Sequence, residues 1–401
     1  MSRLSEELAW RGLVHQATDD GLLALLDGSA PITAYIGFDP TADSLHVGSL
    51  LQLCNLRRLQ EHGHRPIALA GGGTGMIGDP GGKSEERNLL DATQLDRNLA
   101  GIRGQLGRFI DLADGRGLLL NNGDWLWSLP LLDFLRDIGK HFTVNQMVAK
   151  ESVKSRFEGR EQGISYTEFS YMLLQAYDFL MLFDQHGCRL QLGGSDQWGN
   201  ITMGVDLIRK LRGASAYGLT SPLVLKADGT KFGKSESGTV WLSAERTPPY
   251  DFYQFFFNAE DAVVGQYLRY FTWLDRAEVE ALDAATAQHP ERREAQRALA
   301  FEVTALVHGR DAADAAVAES EARFSGASAP AAVQVLSGVA PTLVEALVAS
   351  GLCASKSEAR RAIEQGGAYV DDERAAADAD LPVGRPVKLR RGKKHIAVVQ
   401  F

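Results

Sequence analysis

A chain of 401 residues with 45% hydrophobic and 23% charged residues has the make-up of a packed globular protein, and its length exceeds one ordinary core, so two or three domains are expected. A net charge of −9 argues against a uniformly basic nucleic-acid binder. No apolar run approaches the roughly 20 residues of a membrane span, and MSRLSEELAWRG carries charges where a signal peptide needs an apolar core, so a cytoplasmic protein is expected. Cys54, Cys188 and Cys353 are odd in number, far apart and outside any Cys-x-x-Cys spacing, which suggests neither a disulfide framework nor a zinc site.

In chain order, residues from about 30 to 220 alternate short apolar runs, such as TAYIGF and RPIALAGGG, with helix-like stretches such as GSLLQLCNLRRLQEHG. That rhythm predicts βαβ units and a parallel sheet. Glycines follow the apolar runs at Gly71–Gly73 and Gly193–Gly194, and strand-to-helix turns at the carboxyl edge of such sheets are where ligands bind. Helical periodicity dominates from about 245 to 323, and the small-residue stretch 324–340 reads as a linker. Residues 341–401 carry two short helices, LVEALVAS and SKSEARRAIEQG, ahead of the strand-like pieces AYVDD, RPVKLRR and HIAVVQF. This last segment holds ten Lys and Arg against eight Asp and Glu, leaving 32 against 43 in the rest of the chain. Its run KLRRGKKH, residues 388–395, suits either RNA phosphates or a solvated basic surface.

Four segments carry candidate chemistry. The stretch YIGFDPTADSLHVGS, residues 35–49, reads as a strand entering a polar turn and then a helix, whose first N–H groups make an anion site. Gly48 there admits a flat base close to the backbone, and His46 either donates to a phosphate or serves the turn. In TEFSYMLLQAYDFL, residues 167–180, Tyr171, Gln175 and Asp178 fall at i, i+4 and i+7, on one face of a helix. The flanking Phe169, Met172, Leu173, Leu174 and Phe179 leave little of that helix to water. Buried polar groups without partners cost roughly 1–3 kcal/mol each, so the three are expected to line a pocket. CRLQLGGSDQWGN, residues 188–200, reads as strand, glycine turn and acid, with a helix from about Ile201. Such a turn lets a ribose approach the backbone and lets the acid accept from its hydroxyls. Finally, LKADGTKFGKSESG, residues 225–238, sets lysines and a serine in a glycine-rich stretch, fit to grip and release a polyphosphate or to stand as a solvated loop.

Taken together, HVGS (46–49) and KFGKS (231–235) resemble the two signature motifs of class I aminoacyl-tRNA synthetases, His-x-Gly-His and Lys-Met-Ser-Lys-Ser, in the same order and on the same elements. Ser49 stands where the second histidine is usual, and a serine there still donates and accepts. The helix at 167–180 is similar to that of the tyrosyl enzymes of this class, and the resemblance covers essentially the whole chain. It implies an α/β fold: a Rossmann-like parallel-sheet catalytic domain over 1–244 that includes the KFGKS loop, a helical anticodon-contacting domain over 245–323, the linker 324–340, and a small α+β RNA-binding domain over 341–401. It also implies a reaction in which tyrosine and ATP give tyrosyl-adenylate, pyrophosphate leaves, and tyrosine passes to the 3′-terminal ribose of tRNA(Tyr).

For that reaction the resemblance implies that Tyr171, Gln175 and Asp79 hold the α-amino group and that Tyr35 and Asp178 read the phenol. Gln191 would lie in the tyrosine pocket and Gln197 near the carboxyl group. Gly37, Asp39, His46, Gly48, Ser49, Gly193, Asp196 and Lys234 would serve ATP and the adenylate, with Gly193 and Asp196 at the ribose. Thr41, His46, Lys83, Arg87, Lys231, Lys234 and Ser235 would answer the charge developing on the leaving pyrophosphate, Lys83 and Arg87 from the segment GDPGGKSEER. Ile36 stands where some members turn a polar or thiol group to the ribose, so that contact is expected to be absent. Mg2+ is expected to arrive on the phosphates of ATP, with no tightly bound protein metal. A homodimer spanned by one tRNA is expected, and no membrane partner. Three other readings stay open: a tryptophanyl-tRNA synthetase, whose pocket would serve an indole N–H; a small-molecule nucleotidyltransferase, which would need no C-terminal RNA module; and a non-catalytic RNA-binding paralogue.

Overall fold

The computed structural model describes residues 3–79, 91–150, 153–154, 164–230, 232–235, 238–324, 334–336, 341–371, 373–375, 378–392 and 395–401. The chain divides into two compact units, Met1–Ala316 and Val317–Phe401.

The first unit is organised by six strands: β1 (Gln16–Ala17), β2 (Thr33–Phe38), β3 (Arg65–Ala70), β4 (Leu118–Asn121), β5 (Cys188–Gly194) and β6 (Tyr217–Ser221). Their spatial order is β1-β6-β5-β2-β3-β4, and every pairing is parallel except that of β1 with β6. From β2 the chain steps to β3 and β4 on one side, then crosses back to β5 and β6 on the other. That reversal opens a crevice at the carboxyl ends of β2 and β5, the position where open α/β sheets bind ligands. β2 and β3 are nearly all buried, which is why TAYIGF and RPIALA are continuous apolar runs with no alternation.

The helix Leu50–Glu61 follows β2 through the 3-10 turn Val47–Ser49. The helix Tyr166–His186 begins at Ser165, whose side chain accepts from the Glu168 N–H, and stops at Gly187 in the left-handed region at φ 61°, a usual helix start and stop. Its inner face, with Met172, Ala176 and Phe179, joins a core that also holds Tyr35, Ile67 and Leu69. It packs along the helix Trp198–Arg212. That helix starts earlier than the expected Ile201, because the 3-10 turn Ser195–Gln197 runs straight into it. A hairpin of β7 (Lys234–Ser235) and β8 (Gly238–Thr239) precedes the helices Pro249–Phe257, Asp261–Phe271, Arg276–Gln288 and Glu294–His308. These helices belong to the same compact unit as the sheet.

The second unit holds β9 (Gln334–Val335), β10 (Ala368–Val370), β11 (Glu373–Arg374), β12 (Val387–Arg391) and β13 (His395–Gln400), in the order β11-β10-β12-β13-β9. The helices Leu343–Ala349 and Lys356–Glu364 share its core, built on Leu343, Leu347, Ile363, Val387, Leu389 and Val399. β9 falls inside 324–340, so part of the expected linker is an edge strand pairing in parallel with β13. Two residues gain regular structure there from a distant partner, which local composition does not reveal. Among the described residues no helix is long and apolar enough to cross a membrane.

Candidate active site

A cavity of about 330 Å³ opens at the sheet's reversal point. It is lined by Tyr35, Ile36, Gly37, Asp39 and Thr41 from β2 and the turn after it, by His46, Gly48 and Ser49, and by Asp79. The helix Tyr166–His186 adds Tyr171, Gln175 and Asp178, and β5 with its turn adds Gln191, Gly193, Asp196 and Gln197. Lys83, Arg87 and Lys231 lie outside the described residues, and the side chains of Lys234 and Ser235 do so as well.

At the inner end, the β2–β5 register sets Tyr35 beside Gln191, their side chains only 1% and 2% exposed. The Tyr35 ring is held by Phe179 at 5.3 Å. Among the described residues, the Tyr35 hydroxyl and Gln191 Oε1 have no hydrogen-bond partner although both are buried. Nearby, the buried carboxylate of Asp178 accepts from Asn122 Nδ2 and from Trp125 Nε1, both at 2.8 Å. Burial pushes Asp178 up to about 7, against the pull of those two donors. Burial, and then the neighbouring Asp178, hold the Tyr35 hydroxyl well above its ordinary value. Each carboxylate oxygen has two lone pairs, so each keeps an acceptor position beyond the bond it already makes.

Asn122 and Trp125 were not among the expected site residues. Asn122 is fixed on every side: its carbonyl accepts from the Gly73 N–H at 2.8 Å and its amide also donates to Thr74 Oγ1 at 2.9 Å. The glycine run makes this possible. A Cβ on Gly71 would collide with Asp39 Oδ1, and one on Gly72 with Asn121 Oδ1. These glycines, expected to face a ligand, therefore admit the pocket's own wall.

Along the side of the cavity, Asp39 accepts from Thr74 Oγ1 at 2.8 Å and from the Tyr171 hydroxyl at 2.9 Å. Asp39, grouped by sequence with the nucleotide contacts, is thus tied to the Tyr171 cluster. Gln197 Nε2 donates to Asp79 Oδ2 at 2.6 Å, Gln175 Nε2 to Gln197 Oε1 at 3.3 Å, and Asn200 Nδ2 to Gln175 Oε1 at 3.1 Å. Four aspartates, Asp39, Asp79, Asp178 and Asp196, line one cavity and give it a field that suits a cationic group.

At the mouth, His46 Nδ1 accepts from the Gly48 N–H at 3.0 Å, capping the turn that starts the helix Leu50–Glu61. An accepting Nδ1 is unprotonated, so the ring proton sits on Nε2 and makes that atom a donor. The two readings of His46, turn and donor, are compatible. Gly48 has no room for a side chain, since a Cβ would stand 2.6 Å from His46 Cε1. The second signature segment is laced to the first through backbone. The Val47 N–H donates to Val240 O at 3.0 Å, Val240 N–H to Gly233 O at 3.1 Å, and Leu242 N–H to Leu45 O at 2.8 Å.

The chain matches the family described as tRNA synthetases class I (W and Y) over residues 27–325. A protein named Tyrosine--tRNA ligase from Roseiflexus castenholzii is 52% identical, with 100% of each chain aligned, and one of the same name from Geobacillus stearothermophilus is 52% identical over 99% of each. Among solved structures, a C-terminally truncated mitochondrial tyrosyl-tRNA synthetase of Aspergillus nidulans matches with a TM-score of 0.72 at 33% identity, covering 81% of this chain and 95% of that one. A Plasmodium falciparum tryptophanyl-tRNA synthetase, at 16% identity and a TM-score of 0.58 over 78% of this chain and 86% of its own, shares the fold. With the sheet order, both signature segments and the full-length identity in agreement, this chain belongs to the class I tRNA synthetases, in the family of tyrosine–tRNA ligases.

Proposed function

We propose that this cavity activates tyrosine with ATP and that the tyrosyl group then passes to the 3′-terminal ribose of tRNA(Tyr). The observation that carries the reading is the inner end, where a buried Tyr35 hydroxyl lacks a partner among the described residues and Asp178 keeps acceptor positions. A phenol hydroxyl satisfies both, donating to Asp178 and accepting from Tyr35. An indole N–H can only donate, so it would leave the Tyr35 proton unpaired, which favours tyrosine over tryptophan.

The α-ammonium group suits Asp79, Tyr171 and Gln175, with Asp39 bonded to Tyr171 behind them, and Gln197 suits the carboxyl end. The ribose suits Gly193 and Asp196 on the turn after β5, and Gly37, Gly48 and Ser49 border the space for the base. The carboxylate of tyrosine attacks the α-phosphorus of ATP, a phosphorus–oxygen bond forms, and the bond to pyrophosphate breaks. The carboxylate is already ionised, so no base is needed. The protein supplies alignment and an answer to the leaving group's charge, from Thr41 and His46 with Lys83, Arg87, Lys231, Lys234 and Ser235. ATP enters as its Mg2+ complex with the metal on the phosphates; among the described residues no group of three or more His, Cys, Asp or Glu could hold a metal ion.

A homodimer is supported by Leu131, Leu132, Val144 and Tyr166, large apolar side chains left exposed on the sheet unit that a second copy would cover. The RNA-binding role of residues 341–401 is supported by β12, where Lys388 and Arg390 fall two apart on one face of the strand and the Arg390 guanidinium lies 3.6 Å above the Tyr369 ring.

Two measurements test this reading. The first is tyrosine affinity against pH, by titration calorimetry. Asp178 stands near 7 before tyrosine binds, and a phenol donating to it favours the carboxylate. Affinity is therefore expected to be level above about pH 7 and to fall below it, by up to about tenfold per unit. Asp178→Asn should flatten the profile, and a flat wild-type profile would remove the phenol from Asp178. The second is truncation. A chain ending at residue 324 is expected to form tyrosyl-adenylate at the full rate and to lose most tRNA charging, because its basic RNA contacts are gone. Equal charging by both chains would remove the RNA-binding role.

A further inference from the structure

We propose that the helix Asp261–Phe271 is a positioning element that seats both signature segments at once, and that Phe232 is the residue through which it sets the KFGKS strand. The proposal rests on the adenylate-forming role given to the cavity above.

In a segment rich in Lys, Gly and Ser, Phe232 is buried, 9% exposed. Its ring is enclosed by Phe255, Phe256, Tyr267 and Phe271, at centroid distances of 5.1, 5.9, 4.9 and 5.6 Å. Tyr267 adds a second tether, its hydroxyl donating to Leu225 O at 2.7 Å, at the start of the same segment. Tyr267 and Phe271, two of the four enclosing rings, and the hydroxyl tether to Leu225 belong to the helix Asp261–Phe271, while Phe255 and Phe256 belong to the helix Pro249–Phe257.

The same helix holds the other signature segment by its last carbonyls. Arg58 lies on the helix that HVGS initiates and is 0% exposed. It donates to Tyr270 O at 2.9 Å and Thr272 O at 3.1 Å. Arg11 donates to Arg269 O, Thr272 O and Leu274 O, each at 3.0 Å. The final carbonyls of a helix have no intrahelical donor and carry partial negative charge, so they are natural seats for guanidinium groups. A buried guanidinium displaced from such a seat is strongly penalised. The end of the helix Leu50–Glu61 therefore has one place to sit.

The two attachments close a frame. From Phe232 the backbone turns through Gly233 into β7, with Gly233 O accepting from Val240 N–H and Val240 O from Val47 N–H, next to Gly48. Lys234 begins β7, so the seat of Phe232 sets where its backbone stands relative to His46 and Gly48. A displacement of about 1 Å at reacting groups costs up to about 100-fold in rate. A ring that only filled space would be replaceable by any apolar side chain of similar stability. A positioning ring would not.

The test uses the full-length chain with Phe232→Ala, Phe232→Leu and Tyr267→Phe. Phe252→Leu serves as a stability control, since the Phe252 ring packs on Phe256 and His308 at 5.2 and 4.7 Å. The readouts are melting temperature, tyrosine Kd without ATP, and kcat and KM for ATP in tyrosine-dependent pyrophosphate exchange. Phe232→Ala is expected to lower kcat/KM for ATP by about 100-fold with tyrosine Kd within about twofold of wild type. Phe232→Leu should recover about tenfold of that loss, and Tyr267→Phe, which keeps the ring and removes one tether, should cost about fivefold. Phe252→Leu should lower the melting temperature and leave the ATP dependence at wild type. Should Phe232→Ala not fold, Phe232→Leu and Tyr267→Phe decide the matter alone. The proposal is overturned if the Phe232 and Tyr267 variants keep wild-type kcat/KM for ATP, or if Phe252→Leu matches their loss. Wild-type chain without tyrosine-dependent exchange would instead overturn the function on which the proposal rests.

Discussion

His46→Ala is expected to depress tyrosyl-adenylate formation by about 100- to 1000-fold, the range given by the 2.7–4 kcal/mol that one lost transition-state donor typically costs. Tyrosine binding without ATP should stay at the wild-type value, because His46 stands at the mouth of the cavity and the phenol site lies at the inner end. The histidine has two jobs, and a second variant separates them. In His46→Asn the side-chain oxygen can still accept from the Gly48 N–H and preserve the turn, but no donor stands where Nε2 was. If the phosphate contact is what matters, Asn is nearly as slow as Ala. If His46 serves only the turn, Asn restores most of the rate. Pre-steady-state measurement of adenylate formation reads both cases. Lys234→Ala acts on the same step and should share the signature of lost rate with retained tyrosine affinity.

Asp178→Asn is expected to lower the tyrosine-over-phenylalanine ratio of kcat/KM in pyrophosphate exchange by about 10- to 100-fold. Phenylalanine lacks only the hydroxyl, so exclusion by size cannot reject it. Rejection comes from leaving the Tyr35 hydroxyl and the Asp178 carboxylate unpaired, at about 1–3 kcal/mol for each buried group. The Asn side chain also presents an amide to Asn122 or Trp125, both of which donate to Asp178 in the native pocket, so one of those donors loses its acceptor. Tyr35→Phe removes the other phenol partner and should relax the ratio less, by roughly the 0.5–1.5 kcal/mol of a neutral hydrogen bond. An unchanged ratio in both variants would show that these residues do not read the phenol.

Much of the frame was legible because burial writes itself into periodicity. TAYIGF and RPIALA read as buried parallel strands since both faces are covered, and Tyr171, Gln175 and Asp178 read as one face since a helix repeats every 3.6 residues. The spacing also warned that polar groups were being buried. What it could not show was who meets them. Asn122 and Trp125 sit in NNGDW, which has the composition of a solvated turn. Only the β3–β4 pairing carries that turn up to the Asp178 carboxylate. Arg58 looks like a surface arginine on an amphipathic helix, yet it is fully buried, because its partners are the carbonyls of Tyr270 and Thr272, the Glu7 carboxylate and the Trp273 ring, all far away in sequence. Gly71–Gly73 were visible as a turn but not as the gap that Asp39 and Asn121 need. The burial of Phe232 leaves no trace in the motif that contains it, since its aromatic partners come from beyond residue 250.

ATP–pyrophosphate exchange by the full-length chain, run in parallel with tyrosine, phenylalanine and tryptophan, tests directly whether the cavity activates tyrosine. Tyrosine should support rapid exchange, with phenylalanine and tryptophan slower by orders of magnitude. Exchange with tryptophan as fast as with tyrosine, or no exchange with tyrosine, would contradict a pocket built for the phenol.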